Sequence, residues 1–241
     1  MRLYVLDLTA GIQPLVYGSQ SSRLSMGGLL FSGNAHPIPR LTIGIDNYIA
    51  FPGAFGYLEI KGGLTYGWLD DNNAFVDDIQ LHHKFIGVRA GGKLPVKLSY
   101  EIHHAAQWGG YKKPLSVGEI KVDYGNSFSD FWNVFLFRSG GVSVSDQQNA
   151  QGNHIGFQEL ALAYDRNDWH VKVYWQSIFE DMSAAFMGFG MNVADGLWGV
   201  NIRQSKWPFI NEFNYEFLNT TSQSGPLHDK DGLVFAGRDS Y

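Results

Sequence analysis

The stretch Leu94-Pro95-Val96-Lys97-Leu98-Ser99-Tyr100-Glu101-Ile102-His103-His104-Ala105-Ala106-Gln107-Trp108 alternates with a period of two. Leu94, Val96, Leu98, Tyr100 and Ile102, then His104, Ala106 and Trp108, fall on one face. Lys97, Ser99, Glu101, His103 and Gln107 fall on the other. Successive side chains of an extended chain point to opposite sides, so the pattern predicts a strand with one greasy and one wet surface. The same pattern runs through 57–68, 169–180 and 209–219, where Trp169, Val171, Val173, Trp175 and Phe179 oppose His170, Lys172, Gln176 and Glu180.

Weaker alternation predicts further strands at 24–33, 40–50, 79–91, 128–138, 155–165 and 197–203. With one or two near the ends, about ten to twelve segments have the length of a barrel strand. Helical periodicity is nearly absent. Long polar loops are expected at 70–78, 111–127, 139–153, 181–196 and 220–231, whereas Arg166-Asn167-Asp168 and Gly91-Gly92-Lys93 read as tight turns. Long loops at one end and short turns at the other are the habit of outer-membrane barrels.

Composition narrows the class. Aromatic residues make up 15% of the 241 residues and charged residues only 17%, with 29 glycines, a mixture that suits a transmembrane barrel. No apolar run approaches the ~20 residues of a spanning helix. A net charge of −5 without a basic cluster excludes phosphate-backbone binding, so nucleic acid is not an expected partner. There is no cysteine, which removes disulfides, thiolate metal sites and cysteine nucleophiles. Residues 1–11, with Asp7 inside a short apolar stretch, do not read as a signal peptide.

A sandwich whose greasy faces point inward has the same period. Aromatic placement favours a barrel. Trp169 and Phe179 stand ten residues apart on one apolar face, which at ~3.3 Å per residue and a tilt near 40° spans about 25 Å, the height of a lipid-facing band. Tyr100 and Trp108, and Tyr66 and Trp68, fit the girdles of such a band.

Several further motifs stand out in chain order. They are His36-Pro37-Ile38-Pro39-Arg40, Lys61 to Trp68, Leu81-His82-His83-Lys84, Gly92-Lys93-Leu94-Pro95, and His103 to Gly110. Glu180-Asp181 leading to Asp195-Gly196-Leu197-Trp198-Gly199, and Ser224-Gly225-Pro226, complete the set. Their resemblance to the barrel of Bacteroidetes capsule-assembly Wzi proteins covers nearly the whole chain in family order. It implies an all-β fold: an antiparallel transmembrane β-barrel of about eighteen strands in the bacterial outer membrane, whose surface binds capsular or exopolysaccharide. Residues 1–241 are then expected to be one barrel domain, incomplete at both ends.

Catalytic and metal chemistry are weakly signalled. His82-His83 and His103-His104 sit on what should be neighbouring strands, but adjacent strand residues face opposite ways, so at most one histidine of each pair can share a site. Hydrogen-bonded lumen histidines are the simpler expectation, and no metal or cofactor is expected. Glu59, Glu101, Glu159, Glu180, Asp181, Glu212 and Glu216 could pair as in a glycosidase, yet any polar lumen offers such pairs. No nucleophile elbow or phosphate-binding glycine fingerprint occurs, so no catalytic residue is assigned.

Saccharide binding needs aromatic faces to stack on sugar CH surfaces and polar groups to meet hydroxyls. His103, Gln107 and Trp108 lead into the loop holding Tyr111, while Trp175 and Trp198 flank the loop that starts at Glu180 and Asp181. These eight residues form the candidate polysaccharide site. The expected partners are capsular or extracellular polysaccharide and outer-membrane lipid. The alternative is a porin-like channel, with Glu59, Lys61, Glu101, Lys172 and Glu212 lining an aqueous pore.

Overall fold

The computed structural model describes all residues except 1, 4, 15, 70–74, 115, 117, 144–145, 148–149, 180–194, 207, 222–227, 231–232 and 236–241. In chain order its elements are β1 (Arg2–Leu3), β2 (Leu6–Gln13), β3 (Ile38–Ala50), β4 (Leu58–Trp68), β5 (Val76–Asp77), β6 (Gln80–Ala90), β7 (Val96–Trp108), β8 (Tyr111–Lys112), β9 (Val122–Asp123) and helix α1 (Phe128–Phe135). They continue with β10 (Asn153–Arg166), β11 (Trp169–Phe179), β12 (Gly196–Gln204), β13 (Glu212–Asn219), β14 (His228–Lys230) and β15 (Leu233–Phe235). The fold is all-β and antiparallel. Its main sheet has ten strands in the order β1-β2-β3-β4-β6-β7-β10-β11-β12-β13. Each strand therefore pairs with the next sheet strand along the chain, and β1 and β13 are the edges of the order.

Connections at one end are tight. Asn167 and Asp168 alone join β10 to β11, with Arg166 opposite Trp169, and Asn167 takes the positive φ of 53° that such a two-residue turn requires. The other end carries the long connections, including 14–37 between β2 and β3 and 109–152 between β7 and β10. There β5, β8 and β9 pair into a small sheet that ties two of these loops together.

The two faces of the main sheet are inverted relative to a sandwich. On the apolar face Leu98 is 48% exposed, Ile86 58%, Val173 43% and Phe213 53%, whereas on the polar face Thr65, His103 and Gln176 are 0% and Glu159 1% exposed. A sandwich strand in water would bury the first set and wet the second. Apolar burial is also thin. One cluster joins Ala106, Trp108 and Val134, and another joins Ala161, Tyr174 and Leu197.

The polar face is dry because residues 16–31 lie across it. Tyr17 packs beside His83, His103 and Phe85 and reaches the Thr65 hydroxyl at 3.3 Å. Ser19 N–H donates to Glu159 (2.8 Å), and Lys172 donates to the Ser19 carbonyl (3.1 Å). Gln176 donates to Gln20, Leu29 N–H donates to Gln176, and the Ser21 hydroxyl donates to Glu212. One segment thus meets β4, β6, β7, β10, β11 and β13, and its backbone and side-chain groups satisfy polar side chains whose burial would otherwise cost several kcal/mol, at ~1–3 each.

Two expected strands take other forms. Residues 24–33 belong to this inner segment, where Gly27-Gly28 breaks the alternation and only an isolated bridge from Gly27 to Ser32 remains. Residues 128–138 are not a strand, since 128–135 form α1. Phe128, Phe131, Trp132 and Phe135 recur at helical spacing. Ser127 and Asp130 close a capping box, the Ser127 hydroxyl accepting from Asp130 N–H and the Asp130 carboxylate accepting from Ser127 N–H (2.9 Å).

Candidate functional site

At the long-loop end, β6, β7 and β10 run up into a layer built by 109–152. Gly109 and Gly110, with φ of 70° and 69°, turn the chain out of β7, and the Asn126 side chain accepts from Gly110 N–H at 2.9 Å. Gln151, almost wholly buried, joins the layer. Its amide donates to Asp130 (2.9 Å), its carbonyl oxygen accepts from Asn133 (3.1 Å), and its backbone N–H donates to the Arg138 carbonyl (3.0 Å). The Asp146 carboxylate accepts from Gly152 N–H (3.0 Å), and the Asp146 N–H donates to the Ser143 hydroxyl (3.0 Å).

These contacts frame a cleft of about 450 Å³ whose chemistry comes from Gln107, Trp108, Tyr124, Asp146, Gln151 and Asn153. That volume is in the ~300–1,000 Å³ range of small-molecule sites. Amides, a carboxylate and aromatic rings around one hollow match the groups that hold a sugar ring.

Of the eight expected residues, the structure brings Gln107 and Trp108 together in this cleft. Tyr111 stands in the adjoining small sheet, where its hydroxyl donates to Asp77 (3.0 Å) and Lys121 lies over its ring. The Lys113 ammonium and the Tyr111 hydroxyl hold the Asp77 carboxyl below the usual carboxylate range. Trp175 and Trp198 pack on each other at 5.8 Å on the apolar face of β11 and β12, with Trp175 Nε1–H donating to the Asp195 carbonyl. His103 is on the opposite face, fully buried beneath Tyr17. Glu180 and Asp181 lie outside the described residues. Asp146, Gln151, Tyr124 and Asn153 were not singled out from sequence, although the amide-rich run 146–153 carries a saccharide-binding composition.

The histidine pairs divide between the faces as strand geometry requires. His83 and His103 share the polar face. The Glu101 carboxylate can only accept, so His103 Nε2–H donates to it (3.1 Å) and His103 Nδ1 accepts from His83 Nε2–H (3.3 Å). Glu101 also binds Lys61 (2.7 Å) and the Tyr48 hydroxyl (2.9 Å), and it stands directly across from Glu159. Both carboxylates are enclosed in the network under residues 16–31. His82 and His104 are on the apolar face, where the alternation of β7 already placed His104. His154 Nε2–H donates to the Gln151 carbonyl (2.8 Å), and His104 Nε2–H donates to His154 Nδ1 (2.8 Å), linking that face to the cleft. No group of histidine, aspartate and glutamate side chains among the described residues has the arrangement of a metal site.

Burial pushes the Asp130 carboxyl up, but bonds from Ser127 and Gln151 outweigh it and hold the group below the usual range. Its contribution is therefore complete above the unfolded value of about 3.9 and falls away as pH drops through the lower folded value. Ser127→Ala is expected to cost about 1 kcal/mol of α1 stability at neutral pH. Hydrogen exchange of the α1 amides checks this, with the same loosening expected in the unaltered protein in acid.

No family model, curated protein or solved structure matches the chain. Among the described residues no helix is long and apolar enough to cross a membrane, which leaves crossing by strands unaddressed. The class defined by fold and site is an antiparallel all-β meander with an exposed apolar face, a filled polar face and a cleft among its long loops.

Proposed function

We propose that this chain is part of an outer-membrane β-barrel of the capsule-assembly Wzi type that binds capsular or exopolysaccharide at the cell surface without cleaving it. The observation that carries the reading is the inverted sheet. An exposed face of Leu, Ile, Val and Phe is stable only against an apolar solvent, and a closed antiparallel barrel is the strand structure that lipid tolerates. Closure in the complete protein would come from further strands beyond β1 and β13.

The loop cleft is the proposed seat of the glycan, with Gln107, Trp108, Asp146 and Asn153 as its polar and aromatic contacts. Tyr111, Trp175 and Trp198, with Glu180 and Asp181, would extend it along a repetitive chain, where many weak contacts add through avidity. The rival channel reading is disfavoured by residues 16–31, which cover His103, Glu159 and Lys172 on the face a pore would need.

The test is binding of the complete protein in detergent to an array of capsule glycans, with a parallel assay for released sugar. Saturable binding without release is expected, and Trp108→Ala combined with Asp146→Ala should weaken it at least tenfold. Binding that is unchanged in that double variant would remove this choice of site.

A further inference from the structure

On β7 the unbroken apolar face ends at Ile102. Above it stand His104, Ala106 and Trp108, and the facing positions on β6 are Lys84, His82 and Gln80. From Val96 to Ile102 the strand climbs only about 15 Å, against about 25 Å for a lipid-facing band. On β11 the same face is apolar or aromatic at both Trp169 and Phe179. A polar gap therefore interrupts the band over β6 and β7.

Helix α1 covers that gap. Phe131 and Phe135 pack edge-on against His82 at 5.7 and 5.5 Å, Phe131 also meets Tyr66 and Trp108, and Phe137 packs on His104 at 4.1 Å. The Lys84 ammonium donates to the Phe135 carbonyl and lies over the rings of Phe135 and Phe137 at 4.4 and 4.5 Å. His82 is fully buried, and neither of its ring nitrogens meets a partner among the described residues. Burying such a group without a partner costs free energy, which the apolar contacts of Phe131 and Phe135 around it must offset. The outer edge of the same aromatic face then presents Phe128 (75% exposed) and Trp132 (41%), in ring contact with Phe131 and Phe135 and followed by Leu136.

We propose that α1 is a lipid-seated patch: it lies against the outside of the sheet at the membrane interface, with Phe128, Trp132 and Leu136 in contact with acyl chains and lipid headgroups. This rests on the barrel reading above. With α1 in place the greasy surface over β6 and β7 extends from Val96 to the level of Trp108, about 30 Å. Phenylalanine and tryptophan on a short helix are the residues that anchor at such an interface. The patch also ties the membrane surface to the cleft, because α1 holds Gln151 through Asp130 and Asn133.

None of the 241 residues is cysteine, and any cysteine elsewhere in the complete protein would be replaced by serine first. Phe128→Cys, Trp132→Cys, Leu98→Cys and Ile120→Cys variants of the complete protein would each carry one bimane label. They would be reconstituted in phosphatidylcholine vesicles with brominated acyl chains. Labels at 128 and 132 are expected to be quenched by the lipid as strongly as the label at 98, within about twofold, while the label at 120 answers only to iodide in the water. Lipid quenching at 98 combined with iodide quenching alone at 128 and 132 would place α1 above the membrane and overturn the proposal while the barrel reading stands. Iodide quenching at all four positions would overturn both. Phe128 is largely exposed, so its variant keeps the test valid even if Trp132→Cys fails to fold.

Discussion

Replacing Gly18 by valine is expected to turn a silent protein into a conducting one. Gly18 has a φ of 102°, and a Cβ there would stand 2.4 Å from Gln20 Oε1, 2.6 Å from Gln176 Nε2 and 2.8 Å from Glu159 Oε2. Those three atoms are ends of flexible side chains, but they are held in mutual hydrogen bonds in a dry place, Gln176 donating to Gln20 at 3.0 Å and to Glu159 at 2.7 Å. Valine would add backbone strain of about 1–3 kcal/mol and break those bonds as well. The inner segment should leave the polar face. Planar bilayers should then record steady openings for Gly18→Val and none for the unaltered protein, and protease should cut within residues 16–31. A variant that stays silent and uncut would mean that this segment is not what fills the interior.

The second large effect is expected from Gln151→Leu. The leucine keeps much of the volume but leaves the Asn133 amide and the Asp130 carboxylate without the partner they have at 3.1 and 2.9 Å. Both groups are half-buried and Asp130 keeps its bonds from Ser127, so at ~1 kcal/mol for each lost bond the loop layer should lose about 2 kcal/mol of local stability. The cleft floor loses its frame at the same time. Polysaccharide affinity is expected to fall at least tenfold, with faster hydrogen exchange through 109–152. Unchanged exchange with unchanged binding would show that the cleft is held by other contacts.

The main sheet was legible wherever one strand face is apolar and the other polar. Val96–Trp108 and Trp169–Phe179 differ from the alternation by at most two residues at an end, because period two leaves little choice of register. Helix α1 was misread because its sequence supports both periods. Phe128, Trp132, Val134 and Leu136 alternate as a strand would, while Phe128, Phe131, Trp132 and Phe135 follow helical spacing. Ser127 with Asp130 was the deciding local clue. The inner segment carried no such clue. Its placement depends on Glu159, Gln176 and Glu212, which lie 140 or more residues away from their partners and become neighbours only once the sheet has formed. The site divided in the same way. Gln107 and Trp108 follow from the strand that delivers them, whereas Asp146 and Gln151 reach the cleft through loop packing.

The central structural claim is that the greasy face of the sheet meets lipid, and the most direct measurement is the dispersion of the complete protein with and without detergent. A protein that stays monodisperse only in detergent or lipid, and that inserts into vesicles with its strand content intact, is the expected result. A monodisperse protein in plain buffer, with Leu98, Ile86 and Phe213 shielded in an aqueous assembly, would contradict it.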